Sequence, residues 1–372
     1  MCKTYNLIGS LKVIKSHLLR HNIKEFNSLN DVITFQKNYF SSRQKIISNQ
    51  KILIEEERKI LSSEILQLEN KITTRRIEIE KELRLEIDKL KEQLHDLAKV
   101  TTSIIKRFAN YFKKYFIKNK ICTNELNLDS RISYSIQHLM STLTKKNNRY
   151  QYIDSRFMDA VYEGSLCSLK EHERKKSVID EINTSIYGAI GEQKVVRELE
   201  NLPDGYFLIN DFSFTFISPV YYRQEDEYIK SIQIDHVLIS PAGIFLIETK
   251  NWSRQSLCNL SLRSPVNQIK RSNFALFILL HDGIANSNLN IDQHHWGARK
   301  IPIRNLIVLT NVKPNEEFQY VKILTLNELL GYVKYFKPTF SNKETQEIAN
   351  YLLNLSGKNN YADSPKCSGQ TN

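Results

Sequence analysis

Hydrophobic and polar positions change rhythm about halfway along the chain. In the first half, apolar residues recur at steps of three and four, the spacing of one face of an α-helix. Leu61, Ile65, Leu68, Ile72 and Ile79 follow these steps, with Arg75 or Arg76 at the skipped place. The series resumes at Leu83, Ile87, Leu90, Leu94 and Leu97 with an offset of one residue, as a stutter produces. Glu and Lys crowd the positions between, so residues 41–100 read as a long amphipathic helix of coiled-coil type. Such a helix reaches about 90 Å and is not expected to stand alone. It pairs with another helix of the same chain or with a second copy, and a homo-oligomer through this seam is expected.

Punctuation agrees with the rhythm. No proline precedes Pro203 and no glycine lies between Gly9 and Gly164, so the principal helix breakers are missing from most of the first half. Residues 1–40 read as one or two short helices with a capped break at Asn27–Asp31, and Asn124–Ser130 reads as another break. From about Asn183 the pattern becomes α/β. A helix carries Ile190, Val195, Val196 and Leu199, and Tyr206–Phe216 is strand-like. Ser218–Lys230 reads as a polar hairpin loop at a sheet edge, followed by two apolar runs joined by Ser240-Pro-Ala-Gly243. A helix from Pro265 to Leu280, a buried strand at Ile303–Thr310 and a further strand at Val321–Leu324 follow. Closing helices span 325–336 and 343–355, with Thr325 and Ser341 as N-caps. The expected division is an all-α region at 1–180, an α/β domain at 181–355 and a disordered polar tail at 356–372.

Charge sharpens that division. Residues 1–180 hold 34 Lys and Arg against 22 Asp and Glu, while residues 181–372 hold 19 of each, so the whole net charge of +12 sits in the helical half. A basic module beside a neutral one fits a polyanion-binding arm on a catalytic domain, or a coiled coil that binds an acidic protein or anionic lipid. The charge is densest at residues 101–120, with six basic side chains and no acidic one. Ile105, Phe108, Phe112, Tyr115 and Phe116 form an apolar face there, with Lys106, Arg107, Lys113, Lys114 and Lys118 beside it. This helix either contacts nucleic-acid phosphates, lies on a membrane interface, or packs its aromatic residues in a core with the lysines in water.

Other chemistries are excluded or weak. No apolar run approaches a spanning length, Phe274–Leu280 being among the longest, and the N-terminus lacks the apolar core of a secretory signal. Five cysteines without metal-ligand spacing suggest free thiols in a reducing cytoplasm. There is no phosphate-binding glycine loop, CxxC pair or nucleophile elbow. His172 reads as a solvated side chain, and His294-His295 as adjacent residues ill-suited to chelate one ion.

The stretch Gln233–Trp252 carries the candidate chemistry. If its two apolar runs form a hairpin about the Pro241–Gly243 turn, Asp235 falls roughly opposite Glu248. Glu248 and Lys250 share one strand face, while Thr249 and His236 point away from the group. Adjacent carboxylates repel one another and invite a divalent cation, and hard oxygen ligands suit Mg²⁺ or Mn²⁺. Lys250 is placed to orient a water or neutralise charge on a phosphoryl group.

Gly188-Ala-Ile-Gly-Glu192, Gln233-Ile-Asp-His236 and Ser240-Pro-Ala-Gly-Ile-Phe-Leu-Ile-Glu-Thr-Lys-Asn-Trp252 closely resemble the nuclease-related domain (NERD) family of the PD-(D/E)xK restriction-endonuclease-like superfamily. The resemblance covers residues 185–312 and implies an αβββαβ core and Mg²⁺-dependent DNA cleavage. It implies that Asp235 and Glu248 are metal ligands, Lys250 the catalytic lysine, Glu192 the acidic residue of the first core helix, and Gln268 the glutamine of the following helix. Ser253, where a glycine is common, and Ser264-Pro-Val-Asn-Gln268, in place of Asn-Pro-x-x-Gln, depart from the family pattern without touching the Asp, Glu or Lys. The expected function is a cytoplasmic DNA nuclease in DNA processing or defence against foreign DNA. The alternative is a non-catalytic nucleic-acid-binding or coiled-coil scaffold protein.

Overall fold

The computed structural model describes residues 1–99, 104–252, 262–289, 291, 300–314 and 316–360; the side chains of 98–99, 104–107 and 357–360 are not described. Two compact units emerge, Met1–Lys37 with Lys175–Asn372, and Asn38–Arg174. The boundary expected at residue 180 therefore shifts. The first 37 residues join the α/β unit, because their apolar side chains lie in its core. Ile8, Ile14, Leu18, Ile23, Leu29 and Val32 pack with Ile186, Val195 and Leu199.

The α/β unit is built on a six-stranded mixed sheet: β1 (Lys3–Tyr5), β2 (Phe207–Tyr222), β3 (Glu227–Ser240), β4 (Gly243–Lys250), β5 (Ile303–Leu309) and β6 (Val321–Thr325), lying side by side in that order. β2, β3 and β4 are antiparallel neighbours, while β4–β5 and β5–β6 are parallel. The parallel step needs a crossover, supplied by the helix Arg263–Ala285. Alternate side chains of β4 feed two cores. Ile244 and Leu246 pack with Val266, Ile269 and Leu276 of that crossover helix, and Phe245 and Ile247 pack with Val195 and Leu199 on the other face. Coverage of both faces accounts for the unbroken apolar run of β4.

We number the helices α1 (Gly9–Arg20), α2 (Leu29–Lys99), α3 (Ile104–Leu126), α4 (Leu128–Ser155), α5 (Phe157–Glu181), α6 (Asn183–Leu199), α7 (Arg263–Ala285), α8 (Leu326–Tyr335) and α9 (Asn342–Asn360). The core order α6-β2-β3-β4-α7-β5 is the αβββαβ arrangement expected from the sequence. Caps fall where anticipated. Asp31 accepts the backbone N–H groups of Asn27 and Ser28, Thr325 and Glu328 form a capping box, and Ser341 and Glu344 repeat it. Residues 3–5, anticipated as helical, form a strand instead, parallel to Phe207–Ile209. The supposed loop at 218–230 is mostly strand. β2 and β3 continue pairing from Val220↔Ile229 to Tyr222↔Glu227 beyond a bulge. α9 extends past Ser356, the expected start of the tail; residues 361–372 lie outside the described residues.

In the helical unit, the seam of α2 is filled from the same chain. Ile54 and Leu61 pack with Ile153 and Val161; Ile72, Ile79 and Leu83 pack with Ile132 and Ile136; and Ile87 and Leu90 pack with Ile121. α3 and α4 thus run back antiparallel to α2, removing the need for a second copy to cover these residues. Ion pairs follow the same register, Arg149 with Glu57 at 2.8 Å, Lys146 with Glu64 at 2.7 Å and Lys91 with Glu125 at 2.7 Å. His172 is not solvated. It is buried, stacks on Tyr39 at 4.7 Å, and places Nε2 3.1 Å from the Tyr39 carbonyl.

The turn between β3 and β4 depends on glycine. Ser240 pairs with Gly243, whose φ is +122°, and a Cβ there would meet the Pro302 carbonyl at 2.5 Å. Gly331, inside α8, has no atom within 4 Å of an added Cβ. Gly243→Ala should therefore destabilise by at least about 1–3 kcal/mol, whereas Gly331→Ala should stabilise by about 0.5–1 kcal/mol. Urea denaturation of the two variants tests both signs, and equal effects would refute the strain assigned to Gly243.

Candidate active site

The sheet converts a spread-out set of residues into one cluster. The β3–β4 register runs to His236↔Ile247, so Asp235 and Glu248 occupy the next opposed position. The Thr249 N–H donates to Asp235 Oδ2 at 2.8 Å, fixing that carboxylate against the end of β4. Two residues beyond Glu248 on the same face, Lys250 Nζ donates to Glu248 Oε1 at 2.7 Å. From α7, Gln268 Nε2 faces the other oxygen, Glu248 Oε2, at 3.4 Å. From α6, Glu192 turns into the same region, where the Glu248 charge acts on it. All five residues singled out from the sequence thus have a direct contact or an electrostatic coupling within one group.

Burial makes the group electrostatically tense. Glu248 is 4 % exposed and Glu192 is 7 % exposed. Desolvation, followed by the Glu248 charge, pushes the Asp235 carboxyl up to about 8, against the opposing effect of the Thr249 N–H. Burial also raises Glu192, with Asp211 and Glu248 adding to the shift and the Ser10 hydroxyl working against it. Burial lowers Lys250, but the Glu248 carboxylate, with Asp235 and Glu192 behind it, outweighs this and holds the ammonium above its ordinary range. A surplus of carboxyl groups over cations remains, and Glu192 Oε2 is buried without a hydrogen-bond partner. The hard oxygens of Asp235 and Glu248, together with that surplus, fit a small divalent cation. Asp235, Glu248 and Glu192 do not bring their oxygens within 4.8 Å of one another as a set of three.

Four further residues belong to the neighbourhood, and two come from the extreme N-terminus. Ser10 Oγ donates to Glu192 Oε1 at 2.5 Å, and Lys12 Nζ pairs with Asp211 Oδ2 at 2.6 Å. Gln233 Nε2 donates to Asp211 Oδ1 at 2.8 Å. Asp211 takes φ +49°. Across it the faces of β2 change parity, since Ile209 and Phe212 enter the same core. β3 does the same opposite, with Ile234 and Val237. The register is unchanged across this point, from Asn210↔His236 to Phe212↔Ile234, and the polar Asn210-Asp211 pair interrupting an apolar strand is the sequence signal of this change of parity. Nothing in the sequence links Ser10 or Lys12 to residues some two hundred positions away.

His236 adjoins Asp235 on β3. It is fully buried, its Nδ1 is 2.8 Å from Asn210 Oδ1, and burial lowers it to about 3, so the ring is neutral. The His294-His295 pair and Ser253 lie outside the described residues. On α3, the side chains of Lys106 and Arg107 are likewise outside them. Phe108, Phe112, Tyr115 and Phe116 are between 57 % and 69 % exposed, so the core packing that would explain their spacing is not made.

An αβββαβ core with an acid on its second strand and Glu-x-Lys closing its third is the arrangement of the PD-(D/E)xK nuclease-like class. Residues 187–310 match the family model of the nuclease-related domain, NERD. Comparisons with curated proteins and with solved structures give no match. The matched segment contains Glu192, Asp211, Asp235, Glu248, Lys250 and Gln268; Ser10 and Lys12 lie outside it. No helix among the described residues is long and apolar enough to cross a membrane.

The raised Asp235 yields a pH prediction. A carboxyl whose folded pKa exceeds its unfolded value of about 3.9 stabilises fully below that value and loses the contribution as pH rises through the folded pKa. In chelator-treated protein, the wild type should lose stability relative to Asp235→Asn between about pH 4 and pH 8. Parallel denaturation midpoints across that range would show that Asp235 ionises without penalty.

Proposed function

We propose that this protein is a cytoplasmic metal-dependent nuclease that hydrolyses phosphodiester bonds in DNA, with Asp235 and Glu248 as the ligands of Mg²⁺ or Mn²⁺. The observation that carries the reading is the convergence of the Asp235, Glu248 and Glu192 carboxyl groups at one end of the sheet, with a single lysine bonded into the group. When bound, the cation would supply Lewis acidity toward a phosphoryl oxygen and acidify a water. The side chains have separable roles. Asp235 is held by the Thr249 N–H with one oxygen engaged. Glu248 is oriented from both sides, by Lys250 on one oxygen and Gln268 facing the other. Lys250, charged and partly exposed, orients the attacking water or neutralises charge developing on the phosphoryl group. Glu192, whose raised pKa keeps its proton affinity high, serves as the proton-handling acid on α6.

Recruitment of DNA is the second part of the proposal. Lys113, Lys114 and Lys118, with Lys106 and Arg107, are assigned to phosphate contact, and the exposed Phe108, Phe112, Tyr115 and Phe116 to stacking on unpaired bases. Their exposure supports a docking role over a packing role. The free thiols Cys2, Cys122 and Cys167 fit a reducing compartment.

Asp235→Ala, Glu248→Ala and Lys250→Ala should each lower cleavage of plasmid and single-stranded DNA in Mg²⁺ or Mn²⁺ by about a hundredfold or more. Chelation should abolish it. A purified, folded Asp235→Ala protein that cuts at the wild-type rate would sink the assignment and favour a scaffold role.

Replacement of Lys113, Lys114 and Lys118 with Glu should weaken DNA binding at low salt and reduce the salt slope by about one unit per phosphate no longer neutralised. Cleavage should recover at high DNA concentration. Unchanged slopes, with loss of flotation on anionic liposomes instead, would assign α3 to a membrane surface.

A further inference from the structure

The C-terminal end of α1 carries a second cluster of metal-ligating type, made of residues separate from the carboxylate group. His17 and His21 are four residues apart, one helical turn, so their side chains meet on one face, with ring centroids 4.7 Å apart. Glu181, the last residue of α5, turns toward them, its Oε2 3.3 Å from His17 Nε2. One donor atom from each of the three lies within 4.8 Å of the others, the one group of three or more such residues found among the described residues. His17 Nε2 is shielded from solvent yet makes no hydrogen bond of acceptable geometry, so its closest approach, to Glu181, leaves a lone pair or proton poorly used. We propose that His17, His21 and Glu181 form a site for a zinc-class divalent cation.

The donor set selects the class. Two imidazoles and one carboxylate suit Zn²⁺ or Co²⁺, whereas Mg²⁺ prefers oxygen alone. A tetrahedral ion with bonds of about 2.0–2.1 Å spaces its donors about 3.3 Å apart. His17 and Glu181 already stand at that spacing. The remaining separations close through side-chain rotation, which half-exposed and exposed residues can make; His17 is 20 % and Glu181 is 53 % exposed. Three protein ligands leave the fourth position to water. With one charge from Glu181 and two neutral imidazoles, the loaded site carries a single net positive charge and no unpaired buried ion.

The consequence is structural. α1 joins the α/β unit through Ile14 and Leu18, and its first turns present Ser10 to Glu192 and Lys12 to Asp211. A cation joining its last turn to the end of α5 would clamp the helix at the opposite end from those contacts. That consequence rests on the nuclease reading; the binding of the cation does not.

The test uses untagged, chelator-treated full-length protein carrying Asp235→Ala and Glu248→Ala, so that the carboxylate group cannot account for uptake. Zn²⁺ titration by calorimetry in excess Mg²⁺ should give one equivalent, and Co²⁺ should give the visible absorption of a tetrahedral complex. Adding His17→Ala and His21→Ala should abolish both. Glu181→Gln should weaken Zn²⁺ binding by more than the roughly 10–100-fold that loss of an outer-shell partner costs. Zn²⁺ stoichiometry unaffected by His17→Ala with His21→Ala, in protein whose circular dichroism is unchanged, would overturn the proposal. So would the absence of any Zn²⁺ uptake in the Asp235→Ala, Glu248→Ala parent. Failure of the wild-type protein to cleave DNA, with Zn²⁺ uptake at this site intact, would instead count against the nuclease reading alone.

Discussion

Repulsion among buried carboxylates is the constraint around which this α/β unit is arranged. Asp235, Glu248 and Glu192 come from three different elements, and each would be better solvated apart. They are held together because the sheet and its helices are stable for other reasons, chiefly the apolar strands β3, β4 and β5 buried between two layers of helices. The cost appears as raised carboxyl pKa values and as an unpartnered Glu192 oxygen. Groups arranged at such expense point to a function that needs clustered carboxyl groups.

The fold compensates only in part. Lys250 is bonded to Glu248 and reaches the protein surface, so one positive charge answers three carboxylates. Asp211 adds a fourth acid, paired with Lys12 rather than with the cluster's lysine. The left-handed φ of Asp211 permits this, because it shifts the parity of β2 and releases the side chain from the apolar core that Ile209 and Phe212 share. The pairing of β2 with β3 keeps its register across this point, so the side chain is re-aimed without breaking the sheet. Gln233, one strand over, completes the support of Asp211.

Legibility in the sequence follows the range of the interactions. Asp235, Glu248 and Lys250 lie within sixteen residues around one turn, so strand periodicity and a Pro-x-Gly turn are enough to converge them. Glu192 and Gln268 are readable only because the surrounding words match a family pattern. The long helix α2 is evident from its three-four spacing, but its partner is not. Apolar seams look alike whether a second copy or the chain's own α3 and α4 fills them, and only the antiparallel pairing of Ile72 with Ile132 and of Ile87 with Ile121 distinguishes the two. His172 misleads because its sequence neighbours are charged, while Tyr39, which covers it, is 133 residues away. β1 is invisible for a related reason. Three residues carry no period, and their strand identity comes wholly from the edge of β2.

The N-terminal segment shows what a local reading leaves out. Residues 1–37 look like the start of the helical region, yet they bury six apolar side chains against the sheet unit and place Ser10 on Glu192. The hydroxyl opposes the rise of the Glu192 pKa that burial imposes. A family model spanning 187–310 contains the carboxylates but not this hydroxyl. The proton affinity of Glu192 is therefore set in part by a segment that the matched domain does not include. A fragment cut at residue 187 would keep every acidic residue of the cluster, lose the Ser10 hydrogen bond and the Lys12 ion pair, and uncover Val195, Val196 and Leu199 on α6. The site is thus a property of the unit formed by both ends of the chain, not of the matched domain alone.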